Sequence, residues 1–355
     1  MEPLFSIIIP TFNLEPYITD CLESIESQTI SKESFELIIV DDCSSDATCS
    51  KVTDFFKTST IKSQFHQLPD NQGPGAARNV GVNLANGVFL IFVDGDDCLS
   101  NNCLEEIEKV IILSSHDVDA IAYNWTYLEI EEPDPNPTLK LKNLNGQRRD
   151  LNLALLPTLD RVKSYLGMNM DGSVIYTAIK KNILHNNHIL FLPGLHEDID
   201  AIFKIYWNCN VIKGVKKPLY LKRDRAGSII RTLSEAHITG YHRAWNEIGN
   251  FTKERVSAAQ WDDYRGYFFS GITGAIAIVI LKISSSFSGD KQTREKMYEF
   301  AYKCYLQFYH CFVKGRDLPQ KTNYDRIAFK FLEVYKTNQS LVRKRKILDA
   351  YIKLK

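Results

Sequence analysis

The 355-residue sequence lacks the short motifs of the commonest zinc and nucleotide sites. Its eight cysteines form no C-x-x-C pair, and no histidine stands at metal-ligand spacing from Cys98 or Cys103. No glycine-rich stretch has G-x-G-x-x-G or Walker spacing, which excludes a standard Rossmann or P-loop site. Because no basic leader precedes the apolar run within Met1–Pro10, we expect reduced thiols in a cytoplasmic protein.

Long uncharged runs and an excess of one charge are also missing. The best candidate for a membrane span, Tyr267–Leu281, has about 15 residues, whereas a span needs roughly 18–20. We therefore expect it to be a buried helix.

The 43 basic and 43 acidic residues balance, but residues 1–235 carry a net charge of −10 and residues 236–355 a net charge of +10. The basic C-terminal part fits either ordinary packed helices with a solvated surface or docking to an anionic partner, such as a membrane.

The first hundred residues alternate between apolar runs and amphipathic segments. Runs typical of buried strands occupy Phe5–Pro10, Phe35–Asp42 and Val88–Asp97. Helical periodicity lies between them, and Pro74 suits the start of one helix. This alternation predicts an α/β fold with a mostly parallel sheet between helices. From about residue 235 helical patterns dominate, so we expect one domain over residues 1–230 and a mainly helical, basic region over residues 231–355.

Polar residues follow each of the predicted strands. Ligands of open parallel sheets bind at the carboxyl ends of the strands, which share one edge. Asp94 and Asp96 stand on a turn that Gly95 permits, and paired carboxylates of this kind suit Mg²⁺ or Mn²⁺. Alone, an Asp-x-Asp pattern is more often a polar turn, and Asp41-Asp42 could equally cap a helix. Three polar strand ends on one edge together predict a site.

Two other segments carry groups that suit a binding site. Arg78 follows Gly73 and Gly75 closely and offers a planar donor to a base or phosphate. In Leu195–Asp200, acids stand at a predicted helix start, where the helix dipole favours them in any protein. The functional interpretation of these acids is a general base.

Four segments, taken together, resemble the inverting family 2 glycosyltransferases of the GT-A fold. They are SIIIPTFNLEPYITDCLESIESQT, FELIIVDDCSSD, DNQGPGAARNVGVNLANGVFLIFVDGDD and HEDIDAIF, in the family's order and spacing. The match covers residues 4–104 closely and residues 175–230 loosely. The resemblance implies a GT-A fold, a nucleotide-diphosphate sugar donor, often linked to UDP, and Mg²⁺ or Mn²⁺ as the cofactor.

The resemblance also implies roles for individual residues. Asp198 is the expected catalytic base, with Glu197 as the alternative. Asp94 and Asp96 are the expected Asp-x-Asp pair, which holds the ribose and the metal-bound diphosphate. Donor binding is expected of Pro10, Thr11, Phe12, Asn13, Glu15, Asp41 or Asp42, Arg78, Asp94 and Gly95. Where the family often has a basic residue or histidine before Gly-Ser-Ile, this chain has KRDRAGSIIRT, so Arg223 or Arg225 is expected to meet the diphosphate.

These roles predict an enzyme that moves a hexosyl or N-acetylhexosaminyl group, with inversion, to a hydroxyl of a growing surface glycan or lipid-linked acceptor. Peripheral contact with the inner face of the membrane, through the basic C-terminal region, is part of this prediction. The alternative is a nucleotide-sugar-binding or scaffold module without catalysis, which would not need the acids. A nucleotidyltransferase would carry a glycine-rich basic loop where this chain has PTFNLEPY, and no basic-aromatic module indicates nucleic acid.

Overall fold

The structure is a computed structural model that describes residues 2–129, 140–142, 160, 162, 165, 173–224, 234–285, 290–312 and 323–353. Contacts between residues divide the chain into two units. The first comprises Met1–Arg161 and Asp171–Arg225, and the second comprises Val162–Met170 and Ala226–Lys355.

In the parallel half of the first unit, the carboxyl ends of all four strands lie at the same edge of the sheet. Its strands are β1 (Phe5–Thr11), β2 (Phe35–Asp41), β3 (Lys62–Gln67) and β4 (Phe89–Phe92), in the order β3-β2-β1-β4. Each neighbouring pair is parallel, and Phe5 pairs with both Phe35 and Phe89. Helices α1 (Ile18–Glu26), α2 (Thr48–Thr58) and α3 (Pro74–Leu84) lie between these strands in the sequence. The predicted alternation and the shared carboxyl edge are confirmed.

Apolar burial explains why the central strands form. Every residue of β1 and β2 is buried, so both faces of the sheet are covered, as their unbroken apolar runs indicated. Strand β3 differs because it lies at the edge of the sheet and its sequence, KSQFHQ, is polar and partly exposed. The sequence pattern did not predict β3, since an edge strand needs no continuous buried run.

The other half of the sheet contains antiparallel pairs. Beyond β4 come β8 (Thr177–Lys180), β6 (Ala120–Glu129), β9 (Ile212–Arg223) and β5 (Cys98–Leu99), with β7 (Lys140–Lys142) beside β6. Strand β8 runs antiparallel to both β4 and β6, whereas β6 and β9 are parallel. The described helices here are α4 (Cys103–Leu113), α5 (Lys181–Asn186) and α6 (Asp198–Asn208). The sheet is therefore mixed, with its continuous parallel part formed by β1 to β4.

Helix α3 lies against the sheet through small residues. Its buried positions are Gly75, Ala77, Arg78 and Gly81. A Cβ at Gly81 would collide with the side chain of Ile8, so glycine is what allows the helix to lie close to β1. The buried face of α3 therefore includes a cation, and this orientation carries the Arg78 guanidinium to the carboxyl edge of the strands.

In the second unit the described residues form α7 (Glu235–Arg255), α8 (Ala258–Ser285), α9 (Lys291–Phe312), α10 (Asn323–Tyr335) and α11 (Leu341–Lys353). Helix α8 contacts α7, α9 and α10. On α11, Arg345 pairs with Glu295 of α9 at 2.9 Å. The predicted helical C-terminal region is confirmed, and part of its basic charge serves packing between helices.

Helix α8 is longer than the apolar run that the sequence displays. Its stretch Ala258–Ser284 is long and apolar enough, by length and composition alone, to cross a membrane, and it is the one such helix among the described residues. Of its most apolar window, 71% is buried inside the protein. This burial agrees with the predicted buried helix, although the helix extends beyond both ends of Tyr267–Leu281.

Candidate active site

The carboxyl edge of the parallel strands brings together charged groups that are far apart in the sequence. Arg78 donates through Nη2 to Oδ1 of Asp94 at 2.8 Å and through Nη1 to Oε1 of Glu197. Arg78 and Glu197 are 119 residues apart in the chain, and both are buried. One arginine therefore connects the Asp-x-Asp turn to the acids at the start of α6.

Arg78 stays charged in this buried position. Burial disfavours the guanidinium cation, but the negative charges of Glu197 and Asp94 raise the pKa of Arg78 above its usual range. Two charge-assisted hydrogen bonds from one planar group also fix the relative orientation of the two carboxylates. Removing the arginine would leave both acids uncompensated, so the ion pairs hold the site in one arrangement.

The turn after β4 gathers three carboxylates. Ligand oxygens of Asp94, Asp96 and Asp97 lie within 4.8 Å of one another. A Cβ at Gly95 would come within 2.8 Å of Leu14, so glycine allows the turn to lie against the segment that follows β1. Carboxylate oxygens are the ligands that Mg²⁺ and Mn²⁺ prefer, and one or two of them suffice when phosphate completes the sphere. The donor set therefore fits a hard divalent cation.

Asp97 connects this turn to β9. It is 3% exposed, and it accepts hydrogen bonds from the Tyr220 hydroxyl at 2.7 Å and the Arg223 backbone N–H at 2.7 Å. Burial, together with the charges of Asp96 and Asp94, raises the pKa of Asp97 to about 8 despite these bonds. The Tyr220 hydroxyl also accepts from the N–H of Asp94 at 3.2 Å. Because each oxygen of Asp97 has a donor on β9, this residue orients the turn.

Arg223 supports the same turn from the end of β9. Its Nε donates to the carbonyl oxygen of Asp96 at 2.9 Å, and its Nη2 pairs with Asp20 at 2.7 Å. The guanidinium also lies 5.3 Å from the ring centroid of Tyr17. Arg225, the alternative candidate for the diphosphate, lies outside the described residues. Contact between either arginine and a diphosphate stays a prediction.

Asp198 is half-buried at the start of α6, next to Glu197. The Ser173 hydroxyl donates to Oδ2 of Asp198 at 2.6 Å and so fixes the carboxylate. Burial and the charge of Glu197 raise the pKa of Asp198 to about 7, while Arg78 and Ser173 oppose this rise. A carboxylate with a pKa near neutrality suits a general base. Since Glu197 is engaged by Arg78, Asp198 fits that role better.

Asp41 and Asp42, at the end of β2, accept hydrogen bonds from other groups of the protein. Oδ1 of Asp41 accepts from the Thr11 hydroxyl at 2.9 Å, and Ser44 donates to both Asp41 oxygens at 2.6 and 2.8 Å. Asp42 accepts from two backbone N–H groups of the loop before α3 at 2.7 and 2.8 Å. Both acids are buried. They fix the loops around the predicted nucleoside pocket, and contact of either with a base stays a prediction.

The segment that ends β1 carries the remaining residues predicted to bind the donor. Pro10 is buried within the strand, whereas the Phe12 ring is 45% exposed. Asn13 and Glu15 accept hydrogen bonds from backbone N–H groups of the β2–α2 loop at 2.9 and 3.2 Å. Asn13 and Glu15 thus hold two loops together, and Phe12 presents a surface on which a base can stack.

Three of the four described non-glycine residues with a positive φ lie in loops at this edge of the sheet, and the fourth is His188. Asn13, Cys43 and His196 have φ values of 49°, 65° and 60°, which non-glycine residues rarely adopt. They lie after β1, after β2 and directly before Glu197, each in a loop that bears predicted site residues. Such conformations persist where the surroundings over-determine them, and they are common at functional sites.

Three contributors to the site were missed from the sequence: Ser173, Tyr220 and Asn79. Asn79 exchanges two hydrogen bonds, at 2.8 and 2.9 Å, with the backbone of Phe191, which fixes α3 to the segment leading to Glu197. Each of the three acts on a residue 25 to 126 positions away. No local motif could mark them, because their roles depend on tertiary contacts.

Comparison with known proteins finds a family match over nearly the first half of the chain. A family model described as "Glycosyl transferase family 2" matches residues 6–172. The poly(ribitol-phosphate) beta-N-acetylglucosaminyltransferase TarS of Staphylococcus aureus is 31% identical over 229 residues, which are 63% of this chain and 36% of TarS. The poly(ribitol-phosphate) beta-glucosyltransferase of Bacillus spizizenii is 27% identical over 56% of this chain and 28% of that protein. The chain thus spans about a third of the length of these relatives.

Solved structures share the fold. The structure of S. aureus TarS 1–349 in complex with UDP-GlcNAc has a TM-score of 0.62 and 21% identity, covering 94% of this chain and 92% of that one. The mannosyltransferase PcManGT of Pyrobaculum calidifontis, solved with GDP-Man and Mn²⁺, has a TM-score of 0.51 and 15% identity, covering 99% and 85%. Residues 6–172, which form much of the mixed sheet with the acids at its edge, match glycosyl transferase family 2, and the chain has the predicted GT-A fold.

Proposed function

We propose that the chain moves a hexosyl or N-acetylhexosaminyl group from a UDP-linked donor, with inversion, to a hydroxyl of a glycan or polyol-phosphate acceptor. The names of both relatives specify poly(ribitol-phosphate) and a β-linked product, which supports this acceptor class. The proposal depends above all on the two ion pairs of Arg78, with Asp94 and with Glu197. They bring the Asp-x-Asp turn and the acids at the start of α6 together. A cytoplasmic location and membrane contact through the basic C-terminal region belong to the same proposal.

The reaction follows from these positions. The acceptor oxygen attacks the anomeric carbon while the bond from that carbon to the diphosphate oxygen breaks. Asp198 takes the acceptor proton, and UDP leaves with the bonding electron pair. A single displacement through an oxocarbenium-like transition state inverts the anomeric configuration. Ser173 holds the Asp198 carboxylate in one orientation, and its pKa of about 7 lets it accept a proton near neutral pH.

Asp96 and Asp94 are the residues that would hold Mg²⁺ or Mn²⁺, whose positive charge would stabilise the departing diphosphate. PcManGT, which shares the fold, was solved with Mn²⁺. Arg78 engages one oxygen of Asp94, which leaves the other oxygen for a cation. Arg78 and Glu197 therefore act as positioning residues, since they set the distance between the metal-binding turn and the base.

A screen of nucleotide sugars tests the proposed function. We expect purified protein to release UDP from one UDP-sugar when Mn²⁺ or Mg²⁺ is present, and faster when a poly(ribitol-phosphate) oligomer is added. EDTA should stop the release, and proton NMR should show a β-linked product. A product that keeps the α configuration of the donor sugar would contradict inversion. Binding of UDP without turnover of any UDP-, GDP- or dTDP-sugar would support the binding module without catalysis.

Gly75→Ala is expected to lower the transfer rate about tenfold or more. The added Cβ would meet the carbonyl oxygen of Leu192 at 2.9 Å and Cγ of Glu197 at 3.1 Å, so the segment that carries Glu197 and Asp198 must shift. A misplacement of about 1 Å near a reacting group can cost roughly a hundredfold in rate. The measurement is kcat at saturating donor and acceptor.

Gly81→Ala is the matched control in the same helix. Its Cβ would collide with Ile8 in the core rather than with the segment that bears the acids. Both variants are expected to lose about 1–3 kcal/mol of unfolding free energy through overpacking. Only Gly75→Ala should lower kcat, and equal losses of kcat in the two variants would contradict the expected coupling.

A further inference from the structure

A group of aromatic side chains lies next to the Asp-x-Asp turn in the mixed half of the sheet. Trp125 and Tyr127 of β6 have ring centroids 5.0 Å apart. Trp125 stacks on Tyr176 at 5.7 Å with 14° between the planes, and Tyr176 meets Tyr220 edge to face at 5.2 Å. We call Trp125, Tyr127 and Tyr176 the aromatic platform.

The aromatic platform is connected to the active site at two points. Tyr220, which supports it, donates its hydroxyl to Asp97 and accepts from the N–H of Asp94. Tyr176 belongs to a short 3-10 turn that starts directly after Ser173, whose hydroxyl donates to Asp198. A molecule lying on the platform therefore adjoins both the metal-binding turn and the base.

The exposure of the platform indicates a binding surface. Trp125 and Tyr127 are half-buried, whereas Tyr176, which supports Trp125, is 4% exposed and Tyr123 on the same strand as Trp125 is 0% exposed. The pairing of β6 with β9 shifts register directly before Trp125, and bulges of this kind redirect side chains near active sites. Partly exposed aromatic rings attract the carbon faces of sugars and polyols through dispersion.

The Lys222 ammonium group lies beside the aromatic platform. Lys222 of β9 is half-buried and pairs in register with Tyr127, and its Nζ lies 3.5 Å from the Tyr176 hydroxyl. Among the residues that the structure describes, no carboxylate pairs with Lys222. By contrast, Lys217 on the same strand pairs with Glu106 at 2.9 Å. An ammonium group without a carboxylate partner beside a polyol-binding surface attracts an anion such as phosphate.

We propose that the aromatic platform and Lys222 form an acceptor subsite for a polyol or glycan chain that carries phosphodiester groups. The Trp125 and Tyr127 rings contact the carbon faces of the bound acceptor, and the Lys222 ammonium contacts a phosphate, so that a free hydroxyl meets Asp198. This inference rests on the proposed function and narrows its acceptor to phosphate-bearing chains.

The test compares two acceptors at saturating donor: a poly(ribitol-phosphate) oligomer and neutral ribitol. Lys222→Gln is expected to raise the KM of the oligomer roughly three- to tenfold at low salt, the range of a partly exposed charge-assisted contact, without changing the KM of ribitol or of the donor. High salt should reduce the difference. Trp125→Ala should raise the KM of both acceptors, whereas Trp125→Phe should keep both KM values close to those of the wild type.

Lys216→Gln is the matched control, because Lys216 is exposed on the same strand. Equal effects of Lys216→Gln and Lys222→Gln, or an unchanged KM of the oligomer in Lys222→Gln, would overturn the subsite. A raised KM of the donor would overturn it too, by placing Lys222 at the donor diphosphate. If the wild-type protein released no UDP from any donor, the proposed function would fail instead. Quenching of tryptophan fluorescence by the oligomer, lost in Trp125→Phe, needs no turnover and tests the subsite separately.

Discussion

Asp198→Asn is expected to lower kcat about a thousandfold while leaving the affinity for UDP within about twofold of the wild type. General-base catalysis contributes typically 10²- to 10⁴-fold, and an amide of the same shape cannot take the acceptor proton. The Ser173 hydroxyl can still donate to the amide oxygen at this position, so the local structure is retained. Single-turnover kinetics and calorimetric titration with UDP measure the two quantities.

The pH dependence of the wild-type rate gives a second measurement for the same residue. Burial and the charge of Glu197 raise the pKa of Asp198 to about 7, and only the deprotonated form accepts a proton. The rate should therefore rise with pH through about 7 and then level off. The residual rate of Asp198→Asn should lack this inflection.

Asp200→Asn is the control for Asp198→Asn. Asp200 is buried in the first turn of the same helix and pairs with Lys204 at 2.7 Å. Its replacement removes an acid from the same helix start and should lower stability with kcat changed less than about threefold. Equal losses in both variants would mean that charge at the helix start, rather than proton transfer, matters. Full activity in Asp198→Asn would move the role of base to Glu197.

Asp96→Asn is expected to raise the Kd of Mn²⁺ about tenfold or more and to lower kcat/KM at least about a hundredfold. The amide keeps one oxygen but removes the charge that a hard divalent cation requires. Even residues that only orient metal ligands typically change affinity 10- to 100-fold, so a direct ligand should do at least as much. Titration of Mn²⁺ in the presence of UDP, followed by electron paramagnetic resonance, measures the affinity.

Asp54→Asn serves as the control for Asp96→Asn. Asp54 is an exposed acid of α2 that pairs with Lys57 at 2.7 Å, so its loss changes the net charge without touching the turn. It should leave the Mn²⁺ affinity and the rate unchanged. A normal Mn²⁺ titration in Asp96→Asn would contradict the proposed metal site.

Much of the parallel half of the fold could be predicted from the sequence, because buried strands and their polar ends are local patterns. The runs from Phe5 and Phe35 are buried throughout, and the acids after the third run stand at the sheet edge. The antiparallel half could not be predicted in the same way. Strands such as Thr177–Lys180 are short, and their pairing depends on neighbours far along the chain.

The candidate site likewise has a part that the sequence could predict and a part that it could not. Asp94, Asp96 and Asp198 are marked by local motifs, so the sequence alone makes them candidates for the site. What the sequence could not supply is the protein partner of each charge: Arg78 holds Glu197 and Asp94, and its contact with a base or phosphate stays a prediction. Asp41 and Asp42 likewise turn out to accept hydrogen bonds from the protein itself. Long-range partners of this kind follow from packing, which no local pattern records.

The crowding of acids at the sheet edge has a consequence for the evolution of the protein. Burial, and after it the charges of neighbouring acids, raise the pKa of both Asp97 and Asp198, so ionised carboxylates are disfavoured at this edge in the free protein. The residues that make the edge reactive therefore weaken the fold, and selection for catalysis opposes selection for durability at the same positions. Without metal, Asp96→Asn should accordingly melt a few degrees above the wild type, and Mn²⁺ should reduce that difference because it binds and stabilises the wild type more strongly.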